Sequence, residues 1–227
     1  MGVLVEICVE GIRSAIAAEA GGADRVELCL DMGVGGLTPE TGDIAEACRL
    51  LRIPVHVLIR PRAGGFVYSD DEFAAMIRSV DTAKASGASG VVLGLNLASG
   101  AIDLVRTAEL VARARPLSVT FHKAFDELHD PLSGLGDLLA IGIERVLTSG
   151  RAATAREGLM FLSELTQRAA GRIAVMAGGR VTEPDIPFLL AAGLREIHVG
   201  SSVMTAGATD LGRVRSLVET VRRLDVS

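Results

Sequence analysis

The sequence predicts an α/β protein, a single-domain TIM (β/α)8 barrel running over residues 1–227, and three observations carry that expectation. Short runs rich in Val, Ile and Leu begin near residues 4, 25, 55, 90, 117, 144, 173 and 196, and each is followed by a longer amphipathic stretch. Strands that alternate with helices make a parallel sheet, because each crossover returns the chain to the same edge. The length of 227 residues suits one such barrel, which commonly runs to about 250 residues. Finally, a glycine-led pattern recurs as Gly22-Ala23-Asp24-Arg25-Val26, Gly87-Ala88-Ser89-Gly90-Val91, Gly142-Ile143-Glu144-Arg145-Val146 and Gly193-Leu194-Arg195-Glu196-Ile197. It introduces strands two, four, six and eight, and alternate strands share the interior layers of a barrel.

Taken in order, the first strand ends in Cys8-Val9-Glu10-Gly11, with one glycine. An open, doubly wound sheet usually has a Gly-x-Gly-x-x-Gly turn there, so closure is favoured. Each repeat glycine is expected as the left-handed cap ending a helix. Cys48, beside Arg49 in the second helix, reads as packing. The third helix is expected over 70–86, opened by Asp70 and Asp71 at its positive dipole end. After the fifth strand comes a polar loop, Lys123 to Asp130. Thr154 and Asp210 are expected to N-cap the sixth and eighth helices.

Period-two alternation then divides the strand residues between two faces. One set is apolar apart from Thr148: Val5, Ile7 and Val9; Val26 and Leu28; Val55, Val57 and Ile59; and their counterparts onward. This set should face the helices. The other points into the barrel: Glu6, Cys8, Glu27, Cys29, His56, Leu58, Arg60, Val92, Gly94, Ser118, Thr120, His122, Leu147, Ser149, Met176, Gly178, His198 and Gly200. Bulky branched residues normally fill a barrel, so this interior needs mutual pairing or a ligand. A purely structural ion-pair network is one reading, and His56 and His198 are taken as structural.

The charged residues late in their strands suggest the other reading, since barrel enzymes keep their sites at the C-terminal mouth. Glu27, Arg60, Arg62, His122 and Asp126 form the candidate ligand-binding set. Arg would clamp a small phosphorylated or carboxylated metabolite by its planar fork, while His122 or a carboxylate moves a proton. Gly178, Gly179 and Ser201, at the ends of strands seven and eight, are the candidate phosphate cradle. Cys8 and Cys29 are expected at matching levels of adjacent strands. Neutral burial explains them, or they share one soft cation, for which Cu(I) is the better candidate than tetrahedral Zn. Arg60 is expected to pair with Glu27 or Glu6, so that Arg60→Ala costs about 3 to 5 kcal/mol. Its positive charge is expected to favour thiolate at Cys29.

Composition excludes other classes. The net charge of −5, with only Lys84 and Lys123 among the lysines, argues against nucleic acid. Apolar runs are too short for a membrane span and the N-terminus lacks a signal-peptide pattern, so a cytoplasmic protein is expected. Three Cys argue against a disulfide framework. Few aromatics leave no evident hot-spot surface, with a homodimer as the candidate assembly.

The stretches Cys8-Val9-Glu10, Ala20-Gly21-Gly22-Ala23-Asp24-Arg25-Val26-Glu27-Leu28-Cys29, Gly35-Gly36-Leu37-Thr38-Pro39, Ile59-Arg60-Pro61-Arg62, Thr120-Phe121-His122-Lys123-Ala124-Phe125-Asp126 and Leu147-Thr148-Ser149-Gly150 resemble the CutC family. The resemblance runs from about residue 4 to residue 202, and these motifs are highly specific as a set. The resemblance implies a cytosolic TIM barrel of copper homeostasis, with Cu(I) at the positions of Cys8 and Cys29. The sequence departs from the family at Lys123, where Arg is common, and at Ala177-Gly178-Gly179-Arg180, which is less glycine-rich.

Overall fold

Eight β-branched and aliphatic runs become eight parallel strands in the computed structural model, which describes residues 2–225; Met1, Val226 and Ser227 lie outside the described residues. The strands are β1 (Leu4–Glu10), β2 (Arg25–Cys29), β3 (Val55–Leu58), β4 (Gly90–Leu93), β5 (Ser118–Phe121), β6 (Arg145–Thr148), β7 (Ala174–Ala177) and β8 (Glu196–Val199). They follow one another around a closed barrel, and β8 pairs back onto β1 through Glu6↔His198 and its neighbours. Closure rules out the open-sheet alternative. Around it lie α1 (Gly11–Ala20), α2 (Thr41–Leu50), α3 (Asp70–Ala85), α4 (Leu104–Ala114), α5 (Pro131–Ala140), α6 (Leu159–Ala169), α7 (Ile186–Ala191) and α8 (Leu211–Asp225). No described helix is long and apolar enough to cross a membrane.

The four repeat glycines adopt positive φ, +94° at Gly22, +86° at Gly87, +80° at Gly142 and +90° at Gly193, a conformation that side-chain-bearing residues adopt only at a cost. Helix α3 starts with a capping box in which Ser69 accepts from the Glu72 N–H at 3.2 Å and Glu72 accepts from the Ser69 N–H at 2.8 Å. Asp210 caps α8 through the Arg213 N–H at 3.0 Å. Thr154 does not cap α6. It closes a separate turn with Glu157, and α6 begins one turn later behind Gly158. The reason is steric: a Cβ at Gly158 would lie 2.0 Å from the Ser149 carbonyl oxygen, so this backbone crossing fixes where the helix starts.

The period-two division holds. Val5, Ile7, Val9, Val26, Leu28, Val57, Val91, Phe121, Val146, Ile197 and Val199 are buried between sheet and helices in the main core. Inside the barrel, Cys8, Cys29, Leu58 and Val92 form a small separate apolar cluster against Met32. Cys48 is half-buried against the main core, as packing requires.

Candidate functional site

At the N-terminal end of the strands the barrel is filled by charge that pairs with itself. Glu6 on β1 is fully buried, forms an ion pair with Arg25 on β2, and lies 2.7 Å from His198 Nδ1 on β8. Arg25 reaches Glu196 at 2.8 Å, and Glu196 also pairs with Arg145 on β6. Burial alone would raise the Glu6 carboxyl, but Arg25 and the two histidines overcome it and hold the group well below the usual range. His56 goes the other way: burial depresses it to about 3, against the pull of Glu6. Arg25, Arg145 and Glu196 share the inward parity of Glu27, Leu147 and His198, but stand one step earlier than the inward residues identified from sequence.

Small residues make room for the rings. A Cβ at Gly90 would lie 2.5 Å from His56 Nε2, and one at Gly94 would lie 2.3 Å from His122 Nδ1. Glycines at the two ends of β4 thus seat one histidine below and one above.

Toward the C-terminal mouth the chemistry changes. Cys8 Sγ lies 3.6 Å from Cys29 Sγ and 3.5 Å from Glu27 Oε1, while Glu27 Oε2 is buried without a partner. The two cysteines are not level, because the register pairs Cys8 with Glu27 and Cys29 with Glu10. The stagger comes from the shear of a closed barrel, and the sulfurs meet diagonally. Cys29 also approaches the Val9 carbonyl at 3.5 Å. Above it sits Gly36, φ +84°, where a Cβ would be 3.3 Å from Cys29 Cβ.

The Cys8 thiol is pushed well up by its Cys29 contact, by burial and by the charge of Glu27. Burial likewise raises the Glu27 carboxyl. Burial would lower His198, but the charge of Glu27 and the bond to Glu6 leave it raised. The charge that acts on Cys8 is the negative one of Glu27, and Cys8 is a neutral thiol in the free protein.

Arg60 requires a second correction. It is buried as expected, yet it pairs with neither Glu27 nor Glu6: Nη1 donates to the carbonyls of Val34 (3.0 Å) and Gly36 (2.8 Å), Nη2 to that of Gly64 (2.8 Å), and Nε–H has no acceptor. Arg62 points away, forming an ion pair with Glu72 and bonding the Gly65 and Val67 carbonyls, so it shapes the loop before α3. Asp126 accepts from the Thr148 and Ser149 hydroxyls and from the Ser149 and Arg151 N–H groups, which fastens its loop to the end of β6. His122 is buried. Its Nδ1 accepts from the Ala124 N–H at 3.2 Å, its Nε2 has no partner, and burial beside Arg60 depresses it to about 3.

These groups surround a cavity of about 480 Å³ lined by Cys8, Glu27, Arg60, His122, Asp126 and Gly200, and also by Lys123, Phe66, Leu147, Ser149, Arg151 and His198. Of the residues expected there, Arg62, Cys29, Gly178, Gly179 and Ser201 are not in the lining. Gly178 is tight against the Leu147 side chain, Gly179 (φ +110°) against Ser149, and Ser201 is exposed in the turn after β8. His198, set aside as structural, faces both ways: one ring nitrogen is held by Glu6, and a donor atom of the same ring lies within 4.8 Å of those of Cys8 and Glu27. Its parity signalled the position; the convergence of Cys8, Glu27 and His198 needed the barrel to close.

Three comparisons place the chain among known proteins. The CutC family pattern matches residues 3–203. The human copper homeostasis protein cutC homolog is 46% identical over 198 residues, covering 87% of this chain and 72% of the relative, and a CutC family protein of Chromobacterium violaceum is 46% identical over 206 residues, covering 90% and 83%. A crystal structure of the CutC protein from Streptococcus agalactiae superposes with a TM-score of 0.84 at 31% identity, covering 89% of this chain and 100% of that one. The thiamine phosphate pyrophosphorylase of Pyrococcus furiosus, at TM-score 0.66 and 18% identity over 98% of this chain and 96% of that one, shares the fold alone. With this interior, this barrel and these matches, the chain belongs to the CutC family.

Proposed function

We propose that this protein holds a copper ion as cargo at the mouth of the barrel through Cys8 and Cys29. The observation that carries the reading is the 3.6 Å separation of the two sulfurs. Metal–thiolate bonds of about 2.3 Å reach both sulfurs from one ion. Thiolate donors select a soft ion such as Cu(I).

The residues fit such an ion in two further respects. Glu27 Oε2 is a buried oxygen without a partner, and His198, whose Nδ1 is held by Glu6, brings a ring nitrogen within 4.8 Å of the donor atoms of Cys8 and Glu27. Because Cys8 is a neutral thiol in the free protein, capture of the ion releases a proton. We take the protein as cytoplasmic, a compartment that keeps thiols reduced and available to a soft ion. We also take residues 1–227 as one domain.

Anaerobic Cu(I) titration against a competing chelator tests the reading. One ion per chain is expected for the wild type, with loss of tight binding in the Cys8→Ser/Cys29→Ser variant. Equal affinity in that variant overturns it, and a parallel Zn(II) titration tests the preference for a soft ion.

A further inference from the structure

The copper reading uses Cys8, Cys29, Glu27 and His198, and other residues of the same cavity carry a different imbalance. Arg60 is a buried guanidinium that donates to three neutral carbonyls, lies 5.3 Å from the Phe66 ring centroid and approaches the Tyr68 side chain, and among the described residues no carboxylate lies within ion-pair distance of it. Lys123 lines the same cavity from the turn after β5 and, among the described residues, has no hydrogen-bond or ion-pair partner; its Nζ stands over Gly179, after β7, where a Cβ would lie 3.6 Å from it. A buried charge is costly unless something answers it.

The nearby acids do not supply the answer. Asp126 is engaged by four donors of its own neighbourhood, Glu27 lies on the cysteine side, and Glu127 is exposed. His122 adds a neutral donor: since Nδ1 accepts from Ala124, the ring proton is on Nε2, which has no acceptor. Leu58, Phe66, Leu147 and Met32 supply an apolar lining between these groups.

We propose that the mouth of the barrel binds a small organic anion with a short apolar body. Its oxyanion group is received by Arg60 and Lys123, and an acceptor atom by the Nε2–H of His122. The chemistry common to the ligands is an anionic oxygen group; carboxylate and phosphate ester are its two sources. This site shares the cavity with the copper site but none of its donors, so the two readings stand or fall separately.

The test uses the metal-free Cys8→Ser/Cys29→Ser protein, which removes copper from the outcome. Butyrate and glycerol 3-phosphate are titrated while the melting temperature and the ¹⁵N-labelled histidine resonances are followed. A saturable rise in melting temperature with either probe is expected, accompanied by a shift of the His122 Nε2–H signal, and the better probe names the oxyanion. Lys123→Ala, which changes an exposed and unpartnered side chain, should weaken the effect about tenfold, the worth of one charge-assisted hydrogen bond. No saturable response to either probe overturns the proposal, and so does a response that Lys123→Ala leaves unchanged.

Discussion

At the lower end of the barrel interior, Glu6, Arg25, Glu196 and Arg145 form a continuous chain of ion pairs. At the upper end, Arg60 and Lys123 have no acid and Glu27 and His122 each have a buried atom without a partner. The lower layer comes from β1, β2, β6 and β8, the upper from β2 and the segments after β3 and β5, and the two differ in whether their charges are answered within the chain. The lower layer reads as architecture. The upper one reads as half of an interaction, completed by something that enters from the mouth.

Acid is the broadest way to test this contrast, because one buried neutral histidine lies in each layer. His56 and His122 have pKa values of about 3 when folded and about 6.5 when unfolded. The unfolded chain therefore takes up these protons first, so both rings stabilise fully above pH 6.5 and lose that contribution as pH falls toward 3. Each ring contributes a slope of about 1.4 kcal/mol per pH unit inside the window. Glu27 and His198, whose pKa values are raised, act in the opposite sense. The His122→Asn variant isolates one ring: urea melts between pH 5 and 6.5 should show a shallower acid loss than wild type, and equal slopes mean that His122 is solvated.

The next largest effect is expected at Arg25. Arg25→Ala leaves Glu6 buried and without its main counter-charge, at a cost of about 3 to 5 kcal/mol in urea melts. Arg60→Ala removes a cation that no carboxylate depends on, leaving carbonyls that loop movement can rehydrate, so about 2 kcal/mol is expected. If Arg60→Ala costs as much as Arg25→Ala, the difference between the layers collapses. Gly90→Ala and Gly94→Ala each push a Cβ into a histidine and should cost about 1 to 3 kcal/mol. Only Gly94→Ala should also weaken the response to the anion probes. At the small end, Arg113→Ala opens an exposed pair with Asp81 and should leave the midpoint unmoved.

The fold was legible because each strand carries its own phase: Val5-Glu6-Ile7-Cys8 already states which side chains share the interior. An ion-pair network around Glu6 was one of the readings, but three of its members escaped notice for a local reason. Arg25, Arg145 and Glu196 open their strands beside the repeat glycines and look like surface turn residues until the barrel encloses them. The partners of Arg60 were beyond sequence reading in a stronger sense, since carbonyls from Val34, Gly36 and Gly64 belong to two loops whose paths no side-chain pattern encodes. Cys8 and Cys29 lay in between: parity put both inside, but the shear of the closed barrel decided that they meet diagonally and that Glu27 and His198 join Cys8.

The link from Arg25 to Glu196 spans 171 residues, and it changes what an incomplete chain can do. During synthesis, β1 and β2 emerge first and bring Glu6 to Arg25, but Arg145 waits for an acid that arrives only with the last strand. A chain stopped after β7 thus lacks the acid that Arg145 needs and the strand that seals β1, leaving a charged interior and two open sheet edges. Such edges pair readily with other chains. The charges of the ionic layer are thus all answered only once β8 is in place and the barrel is closed.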